Sequence, residues 1–465
     1  MPAFSITSDV FSPMLVKELR QGVKSKAFYF AFLLMQTLMV FCVIMYLALL
    51  QNHDPVQELN ALFWICTGAT LIFIIPLRAM SALQQEIKGN TLELIFLTRL
   101  GAWRIITGKW LALFSQALLL ATGTLPYLLL RYFLGGINVS DDLQALFWML
   151  VASAVLTAIG VCISSFIATW VRVLIIMGAV LFPYFGIVFF FSMRFGGSSP
   201  AIVSTHGVAF ACLMVVCAVL AVLLCFAWGA SRIAPPAENY ARWKRLLTFA
   251  LIALLPALAW AASDPDLMMA GFFILIPMCA EALCEQPRFI SSVYRPFLRR
   301  GIFGRLAGLL LFPGWPFGLI FTLFSCAIFF AATGRFGPVV LSDRLNGIFI
   351  ALPGALIFPL AAVLLFKPRA KSIIPGYLAI QIACIILALV GISVHASYAQ
   401  FSVMPLSILP PSAFILQIAN SHSDPTDPAW LPISALVSIV SLLALIFRMI
   451  PVVAKIRNLN RDARP

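Results

Sequence analysis

Between residues 28 and 447 the sequence passes again and again through apolar runs of about twenty residues. No other feature constrains the fold so tightly. About 20 residues of helix cross roughly 30 Å of hydrocarbon. Lipid offers no partner to backbone N–H and C=O groups, so a run of this length must bond with itself, as a helix. Twelve spans are predicted, near 28–50, 61–82, 106–134, 145–169, 173–193, 207–230, 246–262, 267–284, 306–333, 346–366, 373–396 and 429–447. Composition agrees, with 62% of residues apolar and 10% charged, where soluble domains carry about a quarter charged. The expected fold class is an all-α polytopic membrane protein.

The formal net charge is +14. A basic chain can bind nucleic acid, but here the cations follow the spans. With the N-terminus in the cytosol, 27 of the 31 Lys and Arg fall in segments on that side. The exceptions are Arg131, Arg194, Arg335 and Arg344. This is the positive-inside bias. It places both termini in the cytosol and leaves no need for a nucleic-acid partner. All ten cysteines lie in predicted spans, with no metal-like pair, and read as small apolar packing residues. No cleavable signal peptide is expected, because the first span is too long for one.

Residues 1–27 are expected to form a cytosolic amphipathic helix at the headgroup plane of the bilayer. Ser12 suits its cap and Pro13 its first turn. Phe11, Leu15, Leu19 and Val23 recur every fourth residue, with Lys17, Arg20 and Lys24 elsewhere on the surface. A composition break at 231–245, SRIAPPAENYARWKR, reads as a cytosolic linker. Six spans precede it (28–230) and six follow (246–447), and a basic tail, 448–465, ends the chain. Each half places its largest internal cytosolic loop between its second and third spans. Offset by 200, Ala82 and Leu83 meet Ala282 and Leu283, while Arg99 and Gly101 meet Arg299 and Gly301. The shared layout suggests a parallel repeat. The segment 397–428 is Pro-rich with an apolar middle, and reads as an external interfacial or re-entrant piece.

The loop EIKGNTLELIFLTRLGAWRIITGKW, Glu86 to Trp110, is too charged for lipid and too apolar for an ordinary solvated loop. Gly89 and Asn90 break the preceding helix. Thr91 suits an N-cap and Glu93 complements the helix dipole. Leu92, Ile95 and Phe96 then share one face, and Trp103 suits the interface. The spacing predicts a short helix held under the bilayer between two spans, so that force on it moves both.

The run Glu86…Thr91-Leu92-Glu93-Leu94…Leu97-Thr98…Gly108-Lys109 resembles the cytosolic coupling loop of type-2 ABC-exporter permeases. Pro13…Lys17-Glu18-Leu19-Arg20 is similar to the amphipathic leading helix of that family. Asn90 stands where Gly is usual, and Arg99 where Pro is usual. The likeness covers about residues 10–230, one six-span unit. It implies a permease subunit in a prokaryotic cytoplasmic membrane, docked through residues 84–104 on a separate ATPase subunit that acts as a dimer. ATP would act through that partner, with no cofactor bound here. Gly101…Gly108-Lys109 is no phosphate loop, because six residues separate the glycines and Trp110 replaces Ser or Thr. The second half is either a diverged second permease unit or an accessory domain, the latter needing a second permease chain. On the first reading 285–305 is a second coupling loop, carrying Arg295, Arg299, Arg300 and Gly301.

Glu281 sits inside the bilayer near its cytosolic edge, where an ionised group is costly. An ion pair among Glu281, Glu285 and Arg288 is expected. Gln36, Gln116 and Gln381 are expected to bond between spans, and Arg131 to reach Asp141 or Asp142. His53, His206, His395 and His422 are single and far apart. No catalytic constellation or metal-ligand set stands out. A membrane scaffold without transport is the second reading. A secondary transporter is third, disfavoured by the lack of a mid-span carboxylate pair.

Overall fold

The computed structural model describes residues 13–49, 56–89, 101–134, 139–166, 202–235, 238–262, 268, 270–287, 289–290, 293–294, 297, 301–333, 343–366, 373–397, 408–419 and 430–462. Among these the chain is helical, with no strand. Nine of the described helices are long and apolar enough to cross a membrane. The protein is a multi-pass helical membrane protein. It divides into two compact units, Met1–Ala234 and Pro235–Pro465. The division falls inside the stretch where composition places a linker.

In the first unit α1 (Pro13–Val23) leads into α2 (Lys26–Leu49). The second span is interrupted: α3 (Val56–Gly68) passes through a π-helical turn, Ala69–Ile74, into α4 (Ile75–Ala79). Pro76, whose ring cannot continue a regular ladder, and Thr70, whose hydroxyl donates to the Thr67 carbonyl at 2.8 Å, both accompany the distortion. A short α5 (Gln84–Lys88) follows. The long α6 (Ala102–Leu134), α7 (Val139–Ser164) and α8 (Ile202–Ile233) complete the unit. The predicted span 173–193 lies outside the described residues.

The second unit runs α9 (Ala241–Ala262), α10 (Ala270–Cys284), α11 (Gly301–Leu311), α12 (Trp315–Thr333), α13 (Asp343–Phe366), α14 (Ile374–Ser397), α15 (Pro410–Ala419) and α16 (Trp430–Asp462). The predicted span 306–333 is divided. Gly314 adopts φ +115°, and a Cβ there would lie 2.9 Å from the Pro287 Cα. The chain therefore turns at Phe312–Gly314, and α11 separates from the span proper. Residues 241–245, assigned from composition to the linker, are helical and open α9. Within the Pro-rich segment, α15 packs against α13, α14 and α16, with Ser412 and Ala413 fully buried.

The two units are wired alike. Numbering spans within each, α2, α3–α4, α6, α7 and α8 are first, second, third, fourth and last. In the other unit α9, α10, α12, α13 and α16 hold the same places. First packs on second and third, second on third and fourth, third on fourth and last, and fourth on last, in both units. Each has its own core: Met35, Trp64, Leu71, Ala117 and Met149 in one, Leu275, Cys279, Phe329, Leu360 and Tyr377 in the other. Water supplies little drive between helices in lipid, so close approach of small residues matters more. A Cβ on Gly160 would lie 2.8 Å from the Pro76 carbonyl, and one on Gly318 would lie 2.0 Å from the Ala282 carbonyl.

Candidate functional site

In the first unit, three residues singled out from sequence converge at one end of the bundle. Lys109, on the second turn of α6, is only 4% exposed. Its Nζ lies 3.1 Å from Glu18 Oε1 on α1 and 2.7 Å from Glu86 Oε1 on α5. A buried ammonium is costly unless paired, and here two carboxylates from two other helices meet it. Arg78, on α4, extends the tie. It donates to Gln116 Oε1 on α6 and to Ser25 Oγ at the start of α2, both at 2.7 Å. A Cβ on Gly22 would lie 2.2 Å from Gln116 Nε2, so the end of α1 presses directly on α6. The leading helix is thus docked on the third span through Glu18, while Lys17 and Arg20 stay exposed and Leu19 half-buried. Gly108 is buried within α6, which opens at Ala102, earlier than hydropathy places the span. Trp103 and Trp110 fix its start against Phe226 of α8, with ring centroids at 5.9 and 5.2 Å.

The middle of the predicted coupling loop, with Thr91, Leu92, Glu93, Leu94 and Arg99, lies outside the described residues. Its two flanks do not. Glu86 on one side and Lys109 on the other are joined by the 2.7 Å salt bridge.

A second buried ionic cluster stands in the other unit. Lys244 Nζ lies 2.7 Å from both Glu281 Oε1 and Glu285 Oε1. Arg245 Nη2 lies 3.0 Å from Glu285 Oε2, and its Nη1 donates to the Leu310 carbonyl at 2.8 Å. The Gly314 N–H donates to Glu285 Oε2 at 3.3 Å, and the Trp315 N–H to the Glu285 carbonyl at 2.7 Å. One carboxylate therefore holds the start of α9, the end of α10 and the turn between α11 and α12. Burial on its own would raise the Glu285 pKa, but Lys244 and Arg245 outweigh it, and the carboxyl is lowered to about 2. The space among these side chains is about 10 Å³, the size of a single water at most. The cluster is a tie between helices, with no room for a ligand.

Glu281 and Glu285 are thus ion-paired, with Lys244 and Arg245. Arg288 lies outside the described residues, as do Arg295, Arg299 and Arg300 of the second predicted loop. Gly301 opens α11 at φ +70°. Val293, Tyr294, Phe312, Phe317 and Ile456 pack into a small aromatic-rich cluster. Besides Gln116, which accepts from Arg78, two polar expectations inside the spans hold, while the buried Gln381 Oε1 meets no hydrogen-bond donor among the described residues. Gln36 Nε2 donates to the Gly123 carbonyl at 3.3 Å, and Arg131 lies 3.6 Å from Asp142, with its guanidinium 4.3 Å from the Phe63 ring centroid. Among the described residues no group of His, Cys, Asp and Glu is placed to hold a metal ion.

Comparison with protein-family models, curated proteins and solved structures finds no match.

Proposed function

We propose that the chain is the membrane permease of an ATP-driven export system of the type-2 ABC kind. It would work with a separate ATPase subunit in a prokaryotic cytoplasmic membrane. The observation that carries this reading is the buried tie of Glu18, Lys109 and Glu86. It clamps both flanks of the loop 84–104 and the leading helix to the third span. A push on that loop then moves α4, α6 and α1 together instead of dissipating in a slack connection. The family-like residues Glu86, Gly108 and Lys109 sit where such a lever needs its fulcrum. The common packing scheme of the two units supports a further step: one chain supplies two permease halves.

The test is co-purification of the full chain with the ATPase encoded beside it, followed by native mass spectrometry. One permease chain with two ATPase subunits is expected. Leu92→Ala with Glu93→Ala is expected to abolish the association while the permease still elutes as a monodisperse species. Unchanged assembly and ATPase stimulation after removal of residues 89–98 would sink the proposal. Two permease chains per complex would refute the two-halves step alone.

A further inference from the structure

We propose that α11 is a seat for anionic phospholipid, lying in the headgroup layer beside the third span of the second unit. At 1.5 Å per residue its eleven residues reach about 16 Å, too short to cross a bilayer. Its inner face is glycine: Gly304 and Gly308 are buried and bring the helix close to the body. The outer face is apolar, with Ile302 73%, Phe303 86% and Leu306 57% exposed. Arg305 is exposed within the same helix. The helix is not loose, because Arg245 holds the Leu310 carbonyl, and α11 packs on α9 and α12.

What covers such a face follows from its place and its charge. A three-residue turn joins α11 to α12, whose own exposed Leu323 and Phe324 are suited to acyl chains. The apolar face is thus continuous along the chain with a lipid-facing span, at the depth where amphipathic helices settle. From Gln286 to Trp315 the sequence carries five arginines and no Asp or Glu. Lys455, also exposed, lies 4.5 Å from the Phe289 ring centroid and adds to the same sign. Residues 84–104, by contrast, mix Glu86 and Glu93 with Lys88, Arg99 and Arg104. The described exposed cations here are Arg305 and Lys455, and charge of one sign beside an apolar face complements an anionic leaflet. The proposal requires only that the chain is a membrane protein, and stands apart from ATPase coupling.

The experiment uses the full chain with Phe303→Cys in nanodiscs of phosphatidylcholine alone or mixed with phosphatidylglycerol. Labelling by a membrane-impermeant maleimide is followed, with background from the native cysteines measured on the unsubstituted protein. Arg104→Cys reports reagent access. Ile302→Cys replaces Phe303→Cys if the latter elutes abnormally. Labelling about tenfold slower in the anionic disc is expected, with the difference lost in Arg305→Gln with Lys455→Gln. Equal rates in the two bilayers, fast or slow, overturn the proposal. So does protection that appears only when the partner ATPase is added, which would make the face a protein-docking site.

Discussion

Lys244 has two carboxylate oxygens at 2.7 Å and almost no water. Removing such a cation leaves its partners charged and desolvated, which costs more than the pair itself contributes. Lys244→Met is expected to destabilise the protein by about 3–5 kcal/mol. Adding Glu281→Leu should recover much of that loss, and unfolding free energies in detergent check both. Glu285 gives the pH dependence. Its folded pKa of about 2 lies below the ordinary 4.5, so folding favours the ionised form. The stabilisation is full above the ordinary value and is lost as pH falls through it toward about 2. Thermal stability governed by this group is therefore flat from neutrality to about pH 5 and declines below, a trend that Glu285→Gln should abolish. Sequence pointed to Glu281 and Glu285 because carboxylates at a span's edge are conspicuous. It looked for their cation a turn away, at Arg288. Arg288 is outside the described residues, and the described partners, Lys244 and Arg245, lie 37 to 41 residues off on another helix. Spacing along one helix reveals neighbours three or four residues apart and is silent about crossings. Lys244 and Arg245 read equally well as positive-inside anchors, so nothing local distinguished them.

Elements were more legible than their junctions. Apolar run length located most spans, because a membrane-crossing helix has few alternatives. What hydropathy cannot register is a change of backbone geometry inside an apolar run. The π-turn at 69–74 and the break at Phe312–Gly314 are both of that kind. The second had a signal in Pro313-Gly314, but prolines are common in spans and the pair did not stand out. Contacts between elements turn on backbone approach. A side chain on Gly318 would collide with the Ala282 carbonyl at 2.0 Å, and main chain cannot rotate away as a side chain can. Gly318→Val is expected to cost about 1–3 kcal/mol or more by forcing α12 from α10. Lower yield and lower melting temperature would show it. Gly101→Val, where nothing among the described residues lies within 4 Å, is the matched control.

At the scale of the molecule, the division at Ala234 and Pro235 was visible in sequence as a loss of hydropathy. The common packing scheme was only hinted at by topology, since identities between halves are few. Helix order and crossing pattern outlast residue identity, because many apolar sets fill the same space. Each half also owns a buried ionic tie built from different residues: Lys109 with Glu18 and Glu86 in one, Lys244 with Glu281 and Glu285 in the other. On the proposed reading of two permease halves, the peptide bond between residues 234 and 235 also sets a number: the halves are made one for one. Two open reading frames cut at that bond and expressed together should yield two fragments that each insert in the membrane, because each unit has a core of its own.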